Sequence, residues 1–499
     1  MNETLGLPQW PLEAVRAAAA ARDVRVWPVG GVVRDALLGR PLHDWDFAVD
    51  REARELARAV ADELGGAYFP LDAERDVGRV VVEVTAGEQL ELDFAALRGP
   101  TLAADLGARD FTINAMAVAP DGYLLDPHDG QGDLESRLVR AIGPQAFDAD
   151  PLRMLRAVRH VAELRLRLEA KTAAWIIQRA PTLSQVASER VRDEVMRILA
   201  ARNPAEHVHM LDTLELLPYV MVDAVYLKSQ VQSPPHRFDV WWHTLLVLDG
   251  VEGIVAALQG ERSDLEYVDA PASVWDDVVQ RLGPFADRLV SHLQVGLAGG
   301  VTRHALLRLA ALCHDLGKPL TATEDVDGSL HFYGHEREGA DLTQAWMQDR
   351  AFSRAAVDWV KKIVAAHLRP GHLSRVQGPV TRRAVYRYFR DTGPAGVDVT
   401  LLSMADHLAT YGPTLETERW ARRLDVVELL LSHYFERHEE VVAPPSLITG
   451  RDLMAELGLE EGPVIGRLLA GVREAQASGE VATREEALAL AGELLEGER

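Results

Sequence analysis

Near Pro151 the apolar pattern of this 499-residue chain changes its period, and that change limits the folds open to it. Before it, short β-branched runs alternate with helical stretches. Pro11 to Arg22, Val32 to Leu38 and Arg51 to Leu64 read as helices, and Val24 to Val29 and Asp46 to Val49 as strands. Gly78 to Val84 and Glu88 to Phe94 predict two more strands, with Thr85-Ala86-Gly87 as the turn between them. After it, Leu152, Leu155, Val158, Val161, Ala162 and Leu164 recur at helical spacing, and helix signals dominate to the end. The fold class is therefore α+β, a small mixed head followed by a mostly helical body. Breaks fall near Gly143, Gln232-Ser233-Pro234-Pro235 and Ala443-Pro444-Pro445. They predict a head over 1–142, a helical neck over 143–232, a central domain over 233–415 and a helical tail over 416–499.

Composition narrows the classes of function. Charged residues make up 26% and hydrophobic ones 47%, which opposes wholesale disorder. The 53 basic and 76 acidic residues leave a net charge of −23, which disfavours a protein that coats nucleic acid without specificity. A local basic groove stays open, because steering depends on how charge is distributed. The single cysteine, Cys313, excludes an intramolecular disulfide framework and fits a reducing cytoplasm. Met1 to Trp10 shows no signal-peptide pattern, and no apolar run approaches the roughly 20 residues of a bilayer span. The expectation is a cytoplasmic protein with no membrane partner.

The first chemical constellation is Gly30-Gly31-Val32-Val33-Arg34-Asp35 followed by Asp44-Trp45-Asp46. Residues i and i+2 of a strand face the same way, so Asp44 and Asp46 present two carboxylates to one point. Hard cations such as Mg²⁺ take oxygen ligands, and a nucleotide's phosphates complete the shell. Paired glycines between strand and helix let backbone N–H groups approach phosphate closely. A third carboxylate is available from the next strand, where Glu91 and Asp93 alternate with Leu90, Leu92 and Phe94. Each part alone is an ordinary turn or a solvated loop; together they describe a metal-dependent nucleotidyl-transfer site.

These residues resemble the head of class II CCA-adding enzymes and bacterial poly(A) polymerases, in the polymerase-β nucleotidyltransferase superfamily. The resemblance continues through Asp105 to Ala115, Asp126-Pro127 to Leu134, Asp150-Pro151-Leu152-Arg153-Met154-Leu155-Arg156, Ser188-Glu189-Arg190 with Glu194, and Thr449 to Gln476. It implies Mg²⁺ on Asp44 and Asp46, with Asp93 as the third catalytic carboxylate. Gly30, Gly31, Arg34, Arg109, Asp110, Asn114, Asp150, Arg153 and Arg156 would bind the nucleotide. Arg109 and Asp110 would meet the ribose 2′-hydroxyl, and Asp150 and Arg153 the base edge. Three departures stand out: Ala108 replaces the first of two arginines, Ala149 replaces a glutamate, and only Gly-Pro-Thr-Leu-Ala-Ala separates Arg98 from Asp105. Full CCA enzymes commonly carry a longer loop there, needed for switching to ATP.

The second constellation is His243, His314-Asp315, His335, His367 and Asp406. Imidazole and carboxylate suit transition-metal or Mg²⁺ ions. The order resembles the HD phosphohydrolase superfamily, whose members hydrolyse phosphate esters with metal-activated water. This resemblance implies a divalent metal of unspecified identity, and phosphatase or 2′,3′-cyclic phosphodiesterase activity. His236, His331, His372 and His407 are neighbours without an assigned role.

Two basic runs are candidate RNA surfaces. One is Arg153, Arg156, Arg159, Arg165, Arg167 and Lys171; the other is Arg375, Arg382, Arg383, Arg387 and Arg390, interleaved with Tyr386, Tyr388 and Phe389. The leading expectation is a tRNA nucleotidyltransferase that adds CMP and AMP from CTP and ATP, with a fused HD module. A CC-only enzyme, a poly(A) polymerase, and chiefly an HD phosphohydrolase remain the alternatives.

Overall fold

The computed structural model describes residues 7–85, 88–261, 270–297 and 300–497. Ala86 and Gly87 of the expected turn lie outside that set. The chain forms two compact units, Met1–Val186 with Thr213–Tyr219, and Ala187–Asp212 with Val220–Arg499. The expected neck is therefore divided: its first part belongs to the head's unit, and the helix Ser188–Ala200 belongs to the second.

The first unit is built on one sheet of seven strands. They are β1 (Val26–Val29), β2 (Asp44–Val49), β3 (Ala67–Asp72), β4 (Val77–Thr85), β5 (Glu88–Ala96), β6 (Ala117–Val118) and β7 (Leu124–Leu125), in the order β3-β4-β5-β2-β1-β6-β7. Alternation divides the faces. Phe47 stacks on Phe94 at 4.9 Å, and Leu92, Val80 and Val82 join them in the core. The helix Ala53–Leu64 covers this face with Ala53, Leu56, Ala57, Val60 and Ala61. Gly78 lets that helix approach, because a Cβ there would lie 3.2 Å from the Ala57 methyl. Each fully buried phenylalanine stabilises the unit by roughly 1.5–3 kcal/mol. The opposite face carries Asp44 and Asp46 of β2 and Glu91 and Asp93 of β5.

Three strands of this sheet escape the sequence reading. β3 is an edge strand that contains Pro70, tolerated where no partner needs its N–H. β6 and β7 have two residues each, too few to show a period.

The second unit is almost entirely helical. Helices Val240–Leu258, Arg303–Cys313, His335–Asp349, Arg354–Ala366 and Gly396–Tyr411 surround a shared polar centre, and one hairpin pairs Ala322–Glu324 with Leu330–Phe332. Val240–Leu258 is, among the described residues, the one helix long and apolar enough to cross a membrane; 72% of its apolar window is buried in the protein. It packs on Gly396–Tyr411, where a Cβ on Gly250 would come within 3.0 Å of the Ala405 methyl. The helix Thr417–Glu436, expected to open the tail, is tied to Gly396–Tyr411 by Arg423, which donates to Ser403 and lies 3.3 Å from His407 Nδ1. A separate tail core gathers Ile448, Leu453, Leu468, Val472 and Ala475.

Candidate active site and metal centre

Register assembles the head site. β2 and β5 run parallel with Asp44 opposite Glu91 and Asp46 opposite Asp93. Both β2 aspartates are solvent-accessible, while Trp45 and Phe47 between and beyond them are buried. Asp46 nonetheless sits deep among its neighbours. Burial pushes its carboxyl above the ordinary value, Arg109 pulls it partly back, and Asp93 and Asp44 push it further up. A buried carboxyl pushed up by neighbouring carboxylates is one that a bound cation relieves.

Gly30 has φ +75°, and a Cβ on it would lie 2.8 Å from Arg109 NH1 and 3.4 Å from Asp46 Oδ2. Both the conformation and the close approach require glycine here. Its N–H donates to the Met116 carbonyl at 3.1 Å, so the backbone contribution expected for phosphate falls to the helix that starts at Gly31.

Arg109 is steered by a residue given no role in the sequence reading. Buried Asp105 accepts from Arg109 Nε and NH2 at 3.2 and 3.1 Å and from the Arg98 N–H at 3.1 Å. The guanidinium thereby lies beside Gly30 and Asp46. Asp110 faces a different cluster. Its Oδ2 is 2.7 Å from Arg156, and its Oδ1 accepts from Asn114 Nδ2 at 3.0 Å and from the Phe111 N–H at 2.9 Å. Burial opposes the charge, but Arg156 above all holds the Asp110 carboxyl below the usual range. Asn114 Oδ1 accepts from Arg34 NH1 at 2.7 Å, and Arg34 forks onto Asp35 at 3.0 and 2.8 Å. Asn114 Nδ2 also meets His160 Nε2 at 3.2 Å, a second residue the sequence reading missed. One chain of bonds thus links Asp35, Arg34, Asn114 and Asp110 to Arg156 and His160.

Asp150 and Arg153 come together at the start of the helix Arg153–Leu164. Asp150 Oδ1 accepts from the Leu152 N–H at 3.2 Å. Arg153 donates to the carbonyls of Arg109, Ala146 and Ala108 at 3.2–3.3 Å, which brings this pair to the segment that carries Asp110.

The two basic runs are more occupied than their sequence suggests. Arg156 points to Asp110, and buried Arg159 pairs with Glu163 at 3.4 Å, so neither offers a free RNA face. Arg383, Arg387 and Arg390 all converge on Glu474, and Arg383 also pairs with Glu480 at 2.7 Å. Tyr388 and Phe389 are core residues. The acidic partners lie some 90 positions away, so no local pattern reveals them.

All six residues of the histidine constellation meet in the second unit. His243 lies in the first turn of Val240–Leu258, His335 opens its helix, His314 and His367 end theirs, and Asp406 projects from Gly396–Tyr411. Asp315 is the hub: its oxygens lie 3.1 Å from His314 Nε2, 3.3 Å from His335 Nε2 and 3.6 Å from His243 Nε2. Asp406 sits 3.1 Å from His243 Nε2, and His335 and His367 approach at 3.4 Å through their Nε2 atoms. His243, His314 and Asp315 form one group with metal-ligand spacing, and Asp315, His335 and His367 another.

The ring orientations match ligation. Nδ1 of His314, His335 and His367 lies 2.8, 2.6 and 2.7 Å from a carbonyl of its own chain turn, which directs each Nε2 to the centre. His243 Nε2, His314 Nε2 and Asp315 Oδ2 are buried and meet one another and their charged neighbours without well-aligned hydrogen bonds. Burial lowers the pKa of His243, and burial with His314 and His335 brings His367 down to about 3, which favours the neutral, ligating form of these two rings; at His314 burial is outweighed by Asp315, which pushes that ring up. Burial would favour protonated Asp315, yet His314 and Lys318 hold it well below the carboxylate range; Lys318 Nζ is 2.7 Å away. Lys318, absent from the sequence assignment, also donates to Gln232 Oε1 at 2.6 Å.

Similarity to known proteins spans the chain. Residues 26–140 match the family model of the poly A polymerase head domain, and 165–224 that of the RNA and SrmB-binding site of polymerase A. Residues 287–411 match the HD domain and 419–491 the tRNA nucleotidyltransferase domain 2. His243 precedes the matched HD segment. The A-adding tRNA nucleotidyltransferase of Deinococcus radiodurans is 35% identical over 92% of this chain and 93% of that protein. The CC-adding tRNA nucleotidyltransferases of Geobacter sulfurreducens and Thermus thermophilus are 33% and 32% identical, covering 96% and 93% of this chain and 94% and 92% of theirs. A solved CCA-adding enzyme in complex with ATP shares the fold, with a TM-score of 0.61 at 19% identity over 99% of this chain and 97% of that one.

Proposed function

The chain belongs to the tRNA nucleotidyltransferases, with a polymerase-type head and an HD domain, and we propose that within this family it adds the two cytidines of the 3′-terminal CCA. The observation that carries this reading is the link from β5 to the helix Leu102–Gly107. It is short and tied at both ends: Asp105 accepts from the Arg98 N–H at 3.1 Å, and Thr101 Oγ1 caps the Ala104 N–H at 3.2 Å. The longer loop associated with the switch to ATP has no counterpart in so tight a connection. Two full-length relatives named CC-adding enzymes support the same reading. A second reading, addition of the terminal adenosine alone, is favoured by the name of the Deinococcus radiodurans relative.

Nucleotidyltransferase heads and HD domains use divalent cations. The donor sets here fit them, through the accessible acidic pair in the head and the two buried groups of His and Asp atoms at metal-ligand spacing in the HD centre. Asp44 and Asp46 would hold Mg²⁺, and the six HD ligands a divalent metal. Bound there, such an ion supplies Lewis acidity and neutralises charge on phosphate. The chain does the rest. Arg109, braced by Asp105, brings positive charge to the edge of Asp46, where a triphosphate enters. Asp110 offers a buried, ionised acceptor to a ribose hydroxyl, its direction fixed by Asn114 and Arg156. Asp150 and Arg153 supply an acceptor and a fork of donors for a base edge. In the HD centre the clustered imidazoles and carboxylates suit hydrolysis of a phosphate ester. We place this work in the cytoplasm, with tRNA as the partner.

The test offers purified protein three tRNAs, ending before CCA, after the first C and after CC, with each labelled nucleotide. CMP addition that stops at CC is the expected result. AMP added after CC by an enzyme that also adds CMP marks a full CCA enzyme, AMP alone the A-adding type, and long adenosine tracts a poly(A) polymerase. No extension of any tRNA would leave the HD centre as the working site.

A further inference from the structure

The six residues of the HD centre are not equally covered. Five are 9% exposed or less, whereas Asp406 keeps 21% of its side chain open. The centre therefore opens to solvent beside Asp406. The rim at that opening is cationic. Arg423 donates through NH1 to Ser403 Oγ and lies 3.3 Å through NH2 from His407 Nδ1. Ser403 and His407 form one row of the helix that carries Asp406, and adjacent positions are about 100° apart round a helix. The guanidinium thus flanks Asp406 and does not take its place. Arg423 is 6% exposed and has no carboxylate within ion-pair distance among the described residues. A Cβ on Gly371 would lie 3.0 Å from Arg423 NH2, so the guanidinium rests against the helix Arg369–Leu373. His372 and, one turn beyond Gly371, Arg375 are exposed on that segment. Unlike Arg383, Arg387 and Arg390, Arg375 pairs with no carboxylate among the described residues.

These groups act on one another. Burial pushes the Arg423 guanidinium down to about 10, Asp406 draws it back and Arg375 pushes it down again; it stays charged at neutral pH. Burial also lowers His372, with Arg375 and Arg423 adding to it against Glu336. A buried cation without an acid, next to an exposed one, is compensated by a bound anion. We infer that Arg423 and Arg375 form a phosphate subsite at the mouth of the HD centre, and that the HD substrate is a nucleotide carrying two separate phosphates. The phosphate to be released goes inward to the clustered ligands, so what the substrate carries beyond that ester lies at the opening, against the two arginines. In the hydrolysis, the oxygen of water bonds to phosphorus, the bond from phosphorus to the sugar oxygen breaks, and a proton ends on the sugar hydroxyl. Charge-assisted hydrogen bonds to the second phosphate favour such a substrate over one with a single phosphate.

This inference rests on the HD centre hydrolysing phosphate esters, and the experiment separates the two claims. Full-length protein, stripped with chelator and reloaded in turn with Mg²⁺, Mn²⁺ or Ni²⁺, hydrolyses p-nitrophenyl phosphate. Cytidine 3′-monophosphate and cytidine 3′,5′-bisphosphate serve as competitors, and the ratio of their inhibition constants is the readout. A loss of fold or of ligands weakens both competitors together and does not move that ratio. The parent should bind the bisphosphate about tenfold or more tightly than the monophosphate. Arg375→Gln should cut that preference by about threefold, and Arg423→Met should bring it to within about twofold of unity. A parent ratio near one, or a ratio that Arg375→Gln leaves unchanged, overturns the subsite while the HD reading stands. No hydrolysis with any of the three ions, or hydrolysis that survives Asp315→Asn, ends the HD reading and the subsite with it. Arg375→Gln, at an exposed position, decides the matter even where Arg423→Met does not fold.

Discussion

Replacing Asp315 by asparagine removes one negative charge from the hub of the HD centre and keeps its shape. Lys318, nearly as buried, loses its 2.7 Å partner and retains Gln232 at 2.6 Å. His314 and His335 lose an anionic acceptor at 3.1 and 3.3 Å. Stranding one partner of a buried ion pair costs about 3–5 kcal/mol, and the amide's residual acceptor places this change near the lower end. For a unit of this size each kcal/mol moves the melting point by about 2–4 °C, so the HD transition should fall by at least roughly 6 °C at pH 7. The sign with pH follows from the direction of the shift. The folded Asp315 carboxyl lies below its unfolded value, so its contribution is present above the unfolded pKa and fades as acid protonates it. The gap between parent and variant should therefore close below about pH 4. Calorimetry of both proteins, in chelator and across pH, measures it. Equal melting points at pH 7, or a gap that widens in acid, would refute the assignment of Asp315 as the charged hub.

Asp44→Ala or Asp46→Asn should abolish nucleotide addition while phosphate-ester hydrolysis by the HD centre persists, each read with its own labelled substrate. Asp110→Ala should erode the preference for CTP over its 2′-deoxy analogue by about tenfold or more, the value of one hydrogen bond to a charged acceptor, read as the ratio of the two kcat/KM values. Replacing Arg383, Arg387 and Arg390 by glutamine should leave the salt dependence of tRNA affinity unchanged, because Glu480, Glu474 and Asp391 already neutralise them; a shallower slope would show that they meet phosphate.

The strand-helix-strand head, the acidic pair Asp44 and Asp46 on one face, and the six residues that gather in the HD centre could all be named from the sequence. Local rules carry that information: period 2 puts Asp44 and Asp46 on one face, and β-branched runs mark strands. The six residues of the HD centre lie on distant helices and were picked out by the resemblance of their order to the HD superfamily. Pairings between distant segments were not legible. Arg79 forks onto Asp93, Asp105 braces Arg109, and His160 meets Asn114 only because strand register and helix packing bring them together. The same holds for the arginines that Glu474 gathers, which read as a basic surface until their partner is placed. Sequence alone determined which chemistry the chain carries. The tertiary structure decided which charges remain available for it, because a charge is available only when no neighbour from elsewhere in the chain already compensates it.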